Sequence, residues 1–499
     1  MTDLNTVDSS PAQHWDSIVI GSGIGGLVSA TQLAAKGQTV LVLERYLIPG
    51  GSAGYFERGG YRFDVGASMI FGFGQKGTTN LLTRALAAVG QSVETVPDPA
   101  QIHYHLPNGL ALKVHRDYEA FLQGLGDRFP HQRQGIRRFY DECWRVFQCL
   151  NAIELLSLEE PRYVVRVFFQ NPLACLGLAK RLPINVGTLA RRYLQDPELL
   201  RFIDMECYCW SVVPADKTPL INAGMVFSDR HYGGVNYPKG GVGQIALKLA
   251  SGLTQAGGQI RYRSRVTEIL LDQNRAVGVK LASGQTYRAR HIISNATRWD
   301  TFDHLLPTGA VPRAEQRWRR RYQRSPSFVS MHLGVEASVL PAGTDCHHIL
   351  LNDWAQMEAS YGTLFLSIPT LLDPSLAPPH RHILHAFTPS WMAEWSDLTP
   401  QQYRAQKAAI AAAMIQRLEA LFPGLSQSID YQCVGTPRTH RRFLGRVDGT
   451  YGPIPARRLR GLLGMPFNRT AIKGLYCVGD STFPGQGLNA VAFSGFACA

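Results

Sequence analysis

Long apolar runs are missing from this chain: no stretch of about 18 consecutive apolar residues occurs, so no bilayer-spanning helix is expected. Low-complexity tracts are missing too. With 45% hydrophobic and 18% charged residues, the chain reads as globular rather than disordered. The nine cysteines are odd in number and contain no C-x-x-C pair, which argues against a disulfide framework and a structural zinc. Cys207-Tyr208-Cys209 alternates as strand residues do and is expected to be buried packing. Asp345-Cys346-His347-His348 has metal-ligand residue types, but adjacent side chains rarely converge on one ion, so no metal site is expected. The segment Met1 to His14 carries Asp3 and Asp8. It lacks the apolar core of a secretory signal and the Arg-rich, acid-poor character of a transit peptide. Acidic residues are in the minority, with 51 Lys and Arg against 38 Asp and Glu, or +13. No recognition helix or basic–aromatic module accompanies that excess, so an anionic membrane surface ranks first, a solvated surface second and nucleic acid last. The expected location is the cytoplasmic side of a membrane in a prokaryote-like cell, such as a photosynthetic membrane, with peripheral attachment.

What is present begins with a βαβ unit. Ser17-Ile18-Val19-Ile20 reads as a buried strand, and Gly21-Ser22-Gly23-Ile24-Gly25-Gly26 follows it into a helix marked by Leu27, Ala30, Leu33 and Ala34. Gly37 closes that helix, and Val40-Leu41-Val42-Leu43 forms a second buried strand ending at Glu44. A helix from Ile245 to Leu253 precedes strands at Gln259–Tyr262, Val266–Ile269, Ala276–Val279 and His291–Ser294. Leu475-Tyr476-Cys477-Val478 runs straight into Gly479-Asp480. The chain is too long for one simple core. Nucleotide-domain segments are expected at 15–85, 236–305 and 431–499, with insertions at 86–235 and 306–430 building a second domain.

Gly21, Gly23 and Gly26 stand at the spacing of a dinucleotide-binding loop: one turns tightly, one admits a pyrophosphate, one allows helix–strand packing. The helix start offers free N–H groups and a positive dipole end to the phosphates. Glu44 suits a ribose hydroxyl and disfavours a 2′-phosphate. FAD is preferred over NAD because a second glycine cluster, Pro49-Gly50-Gly51-Ser52-Ala53-Gly54, follows Arg45. Asp480 can accept from a ribityl hydroxyl, and the helix opening at Gly485-Gln486-Gly487-Leu488 can face the flavin's pyrimidine edge.

These motifs resemble the carotenoid desaturase/isomerase family, together with Phe63-Asp64-Val65-Gly66-Ala67 and Tyr237-Pro238-Lys239-Gly240-Gly241. Ile203 to Trp210, Asn222-Ala223-Gly224-Met225 and Phe483-Pro484-Gly485-Gln486-Gly487 are similar to its isomerase branch. Nearly the whole chain after about residue 15 shares the likeness, although Ala499 falls inside a last helix that members of the family continue. The resemblance implies an α/β fold with α+β insertions: an FAD-binding Rossmann-like domain of the glutathione-reductase/amine-oxidase type, interleaved with a substrate domain. It also implies an enzyme that uses reduced FAD, fed by an unidentified electron donor, to convert poly-cis lycopene to the all-trans form without net redox change. The expected cofactor contacts are Gly21, Gly23, Gly25, Gly26, Glu44, Arg45, Gly50, Gly51, Ser52, Gly66, Val266, Gly479, Asp480, Gly487 and Leu488.

No catalytic acid is written in a motif. Asp204 and Glu206 lie in an apolar stretch where a buried carboxyl could stay protonated, or could pair with an arginine. Lys239 is either near the flavin or an ordinary loop lysine. Residues 161–193 interleave arginines and lysines with large apolar residues, as either a helix pair on an anionic membrane or amphipathic core helices with a solvated basic face would, and Gln316 to Tyr322 is a second candidate patch. The rival functions are a carotene desaturase of the same fold and a prenyl-lipid-binding escort protein that needs no flavin.

Overall fold

A computed structural model describes residues 14–66, 68–73, 80–153, 156–462 and 464–499. Ala67 and the polar segment before His14 lie outside the described residues.

The first sheet has seven strands drawn from three distant parts of the chain. Its spatial order is Val266–Asp272, Arg275–Leu281, Thr286–Ser294, His14–Ile20, Val40–Leu43 and Gln259–Arg261, with Leu475–Cys477 also paired to Thr286–Ser294. His14–Ile20 lies parallel to both Val40–Leu43 and Thr286–Ser294, and Val19 stands opposite Val42 and Ile293. Burial on both faces suits these uninterrupted apolar strands: Val40, Leu41 and Val42 are fully buried. The helices Ile24–Ala35 and Gly243–Gln255 and the C-terminal helix Leu488–Cys498 complete this half. Gly495 matters here, because a Cβ would press on the Gly25 carbonyl oxygen and on Val28 of the glycine-loop helix.

The second sheet also has seven strands, in the order Ile429–Gly435, Ser327–Glu336, Arg381–Ser390, Leu364–Ser367, His347–Leu350, Ala100–Leu106 and Leu110–His115. All its pairs are antiparallel except His347–Leu350 with Ala100–Leu106. Around Ile102 and Tyr104 it packs a helical layer holding Phe121, Phe139, Tyr140, Phe202 and Phe227. Val329, Met331 and Leu333 pack with Trp395, Leu418 and Phe422 in a separate core.

Two local expectations are corrected. Cys207-Tyr208-Cys209 is not a strand but part of the helix Pro197–Ser211. Asp196 caps that helix by accepting from the Glu198 and Leu199 N–H groups, and Leu199, Phe202, Ile203 and Cys207 recur at helical spacing. Three residues were too short a window to separate the two periods. The patch Gln316 to Tyr322 is not an exposed aromatic face either. Trp318 and Tyr322 are buried, and the Trp318 ring lies 4.7 Å from that of Trp299.

Candidate functional site

Backbone conformation organises the nucleotide end of the site. At Gly21 φ is +92°, a left-handed turn that an L side chain rarely adopts. Its N–H reaches the Leu43 carbonyl at 2.9 Å. A Cβ on Gly26 would overlap the Gly21 carbonyl oxygen, so this glycine permits the close helix–strand approach. Gly23 is the N-cap of the helix Ile24–Ala35 and offers no side-chain cap. The N–H groups of the first turn are thereby left for an anion. Glu44, buried at the end of its strand, accepts from the Ser22 N–H (2.8 Å), the Ser22 hydroxyl (2.7 Å) and the Tyr46 N–H (2.7 Å). These bonds tie the carboxylate to the glycine loop.

The second glycine cluster lies against the first. The Gly50 N–H donates to the Ser22 carbonyl at 2.9 Å, and a Cβ on Gly51 would stand 3.6 Å from Gly23 Cα. A Cβ on Gly66 would come within 3.0 Å of the Ser52 carbonyl oxygen and 3.3 Å of the Tyr451 hydroxyl. The Ser264 N–H donates to the Glu44 carbonyl at 2.8 Å, which carries the chain to buried Val266 near the end of the Glu44 strand. Arg45 leans outward and donates to the Arg442 carbonyl at 3.0 Å. Gly479 abuts Gly25, whose Cβ would lie 3.1 Å from Gly479 Cα. Asp480 is paired with Arg446 and accepts from the Ser481 hydroxyl at 3.2 Å, so a ligand hydroxyl there would share its carboxylate. Gly487, the uncapped N-cap of Leu488–Cys498, places Leu488 on the wall of a cavity.

That cavity has a volume of about 690 Å³. It runs from Gly485, Gly487 and Leu488 past Trp210, Asn222 and Met225 to Val164, Phe168 and Leu176. All three stretches that carry the isomerase-branch resemblance therefore reach one apolar space. Two polar atoms at its wall have no partner among the described residues: Asn489 Oδ1, in the first turn of the last helix, and Trp210 Nε1. An unsatisfied acceptor at an uncapped helix start is what a bound heterocycle would engage. The residues present thus fit a flavin dinucleotide.

Neither Asp204 nor Glu206 lines the cavity. Glu206 is fully buried and held by Arg230 through two bonds of 2.8 and 2.9 Å, while the Tyr104 and Tyr140 hydroxyls donate at 3.0 and 2.9 Å. Both oxygens of this carboxylate are therefore taken up inside the core, facing Arg230, Tyr104 and Tyr140. Asp204 Oδ1 accepts from the Ala215 N–H at 2.9 Å, and burial raises its carboxyl above the usual range. Lys239 forms an exposed pair with Glu94 at 3.0 Å. Among the described residues the carboxyl that does line the cavity is Asp229, on the helix Leu220–Tyr232, and burial pushes it up to about 6.

Sequence reasoning also missed Asn295 and a histidine wall. Asn295 ends the strand Thr286–Ser294 with its side chain between Gly23, Gly25 and Gly479. Its signal was its position: a strand parallel to the first must end at the same edge as the glycine loop. Behind Asp64 to Ser68, His332 and His385 stack with ring centroids 4.3 Å apart. His332 Nε2 donates to the Asp64 carbonyl at 2.9 Å, and His385 Nδ1 meets the Ser68 hydroxyl at 3.0 Å. His440 Nδ1 lies 3.1 Å from the Tyr451 hydroxyl. Burial lowers all three histidines, His332 and His440 to about 4.

A glycine loop between parallel strands, a buried carboxylate on the neighbouring strand and an apolar cavity beyond the last helix define a dinucleotide-dependent enzyme of hydrophobic substrates. Residues 24–499 match the family described as flavin containing amine oxidoreductase, and the chain belongs to it. It is 59% identical over 487 residues to the chloroplastic prolycopene isomerase of Arabidopsis thaliana, covering 97% of this chain and 82% of that protein. Its identity to the neurosporene-forming phytoene desaturase of Cereibacter sphaeroides is 26% over 500 residues, covering 97% and 93%. Among solved structures, an oxidoreductase from Methanosarcina mazei superposes with a TM-score of 0.63 at 20% identity, covering 96% of this chain and 98% of that one, a likeness of fold.

Proposed function

We propose that this enzyme binds FAD and converts poly-cis lycopene to all-trans lycopene with no net redox change. The observation that carries the reading is the apolar cavity bounded by the start of the last helix, where the isomerase-branch residues Trp210, Asn222, Met225 and Gly485 meet. The 59% identity to a prolycopene isomerase, against 26% to a desaturase, supports the isomerase over the oxidative rival.

Gly21, Gly23, Gly25 and Gly26 would hold the pyrophosphate, Glu44 the adenosine ribose, and Arg45 and Val266 the flank of the adenosine. Gly50, Gly51, Ser52 and Gly66 would border the middle of the dinucleotide. Gly479 and Asp480 would meet the ribityl chain, with Gly487 and Leu488 at the pyrimidine edge. Held by these residues in its reduced form, a flavin would supply electron density to a conjugated double bond of the polyene. The chain's own part is to exclude water, align the polyene between Trp210 and Leu488, and hold a proton at the Asp229 carboxyl. With that carboxyl near 6, a fraction stays protonated around neutral pH, as a cavity acid requires.

The nucleotide part is proposed as 15–85, 236–305 and a final segment starting after Gly435, because Ile429–Gly435 pairs with Ser327–Glu336 of the second sheet. The helices Pro161–Gln170 and Pro172–Arg181 give the substrate its entrance. Phe169 and Leu173 are 77% and 83% exposed, while Phe168 and Leu176 of the same helices line the cavity. With Arg162, Arg166 and Lys180 beside them, these side chains would sit peripherally on an anionic membrane, the cytoplasmic face in a prokaryote-like cell, while Arg181 is paired with Glu142 at 2.7 Å. None of the described helices is long and apolar enough to cross it.

The test is anaerobic incubation of protein, FAD and a reductant with poly-cis lycopene in liposomes, with products resolved by chromatography and mass. All-trans lycopene of unchanged mass, absent without reductant, is expected. A product two hydrogens lighter, formed from a less unsaturated carotene, would instead make the protein a desaturase.

A further inference from the structure

Three histidines meet on the second sheet, outside the residues that line the cavity. His103 and His105 alternate along the strand Ala100–Leu106, so both side chains stand on one face. His348, on the parallel strand His347–Leu350, is in register with His103. Ring centroids are 4.3 Å apart for His103–His105, 5.6 Å for His103–His348 and 5.3 Å for His105–His348. One nitrogen from each ring lies within 4.8 Å of the others.

We propose that His103, His105 and His348 bind a divalent transition-metal ion, Zn²⁺ before others, leaving a fourth position for water. The hydrogen bonds around the rings already resemble those behind a metal ligand set. His348 Nε2 donates to the Asp345 carbonyl at 2.9 Å, which fixes the tautomer and leaves Nδ1 as a lone pair. That Nδ1 faces His105 Nε2 at 3.1 Å. His103 Nδ1 lies 3.3 Å from the Asp345 carboxylate, leaving Nε2 free, and Lys113 holds the same carboxylate at 2.8 Å. Metal-bound imidazoles characteristically donate their other N–H to a carboxylate or a backbone carbonyl, and Asp345 supplies one of each. Imidazole nitrogens suit Zn²⁺, and tetrahedral bonds of about 2.0–2.1 Å place them about 3.4 Å apart, within reach of small ring rotations. His103 and His105 are only half-buried, so an ion has a way in.

The sequence expectation for the run Asp345–His348 is that adjacent side chains diverge, and His347 and His348 do, although Cys346 and His347 stay together. His348 joins His103 and His105, while His347 turns to Asp98 and Cys346 on the opposite face. The other two ligands come from a strand 243 residues earlier. The set Asp98, Cys346 and His347 is the competing site, but all three of its residues are buried, whereas His103 and His105 are half-buried. An ion at the three histidines would bridge the parallel strand pair of this sheet, where slanted ladders bind less firmly.

The experiment uses full-length protein stripped with a chelator, then titrated with Zn²⁺ against a chromophoric competitor and, separately, with Co²⁺ followed by absorption. The expected results are one ion per chain, tetrahedral cobalt bands without a thiolate charge-transfer band, and a higher Tm with Zn²⁺. Affinity should fall by at least about 100-fold in His105→Gln and in His103→Gln, and stay unchanged in Cys346→Ser. Thermal melting of each variant separates a lost site from a lost fold. Folded wild-type protein that takes up no Zn²⁺ or Co²⁺ would overturn the proposal. So would a thiolate band that disappears in Cys346→Ser.

Discussion

Backbone shapes the groove between Gly21 and Gly51, whereas side chains shape the cavity beside Leu488. In the groove, glycines at 21, 26 and 51 bring chain segments within van der Waals reach, and one buried carboxylate, Glu44, is tied down by loop N–H groups. In the cavity the wall is Phe168, Leu176, Trp210 and Met225, drawn from four helices between residues 161 and 232. At Gly26 the first arrangement has no room for an added atom. The second tolerates exchange of apolar groups as long as volume is kept. Cofactor binding and polyene turnover should therefore fail separately.

The largest effect is expected in the groove. Gly26→Val puts branched carbon where the Gly21 carbonyl oxygen already lies, and the purified variant should carry no FAD absorbance. A yellow, active Gly26→Val protein would break the contrast at once. Next comes the cavity acid. Asp229→Asn should keep FAD and lower turnover of poly-cis lycopene by about 100-fold, the scale of a lost general acid. Loss of FAD in that variant would show that the two regions are not separable.

The histidine wall predicts how the protein responds to acid. His332 and His440 have folded values near 4, below the usual 6.5, so the native state binds fewer protons than the unfolded chain. The stability this represents is present above about pH 6.5 and lost as pH falls toward 4. The ceiling is about 3 kcal/mol for each histidine. Urea unfolding between pH 7 and 4.5 should show a steadily falling midpoint, and His332→Gln should flatten the slope. The smallest effect belongs to the entrance. Leu173→Ser should weaken binding to anionic liposomes a few-fold while leaving turnover of detergent-dispersed substrate unchanged.

How much of this was legible in the sequence follows the same division. Gly21 to Gly26 and Glu44 were readable because a strand, a turn, a helix and a second strand lie within about 30 residues, and each position has a local steric reason. The cavity was readable only as scattered stretches, since Trp210, Asn222 and Gly485 come together through helix packing that no spacing encodes. Glu206 stayed open between a protonated acid and an arginine-paired carboxylate because its partner Arg230 stands 24 residues away, on another helix. Asp229 sits one residue before that arginine and drew no attention, although its neighbour neutralises a different carboxylate. The histidines at 332, 385 and 440 gave no motif, because His332 and His385 meet across strands paired over a long separation and His440 comes from the helix Pro437–Leu444.

The most direct test of the central claim is to fill the cavity without touching the groove. Met225→Trp adds an aromatic ring to the cavity wall, some distance from any glycine loop residue in sequence. With FAD content measured by absorbance and isomer composition by chromatography, the account predicts a full complement of FAD and a fall of at least about 100-fold in all-trans lycopene formed. Undiminished isomerisation by a Met225→Trp protein would mean that the polyene reacts elsewhere, and would contradict the account.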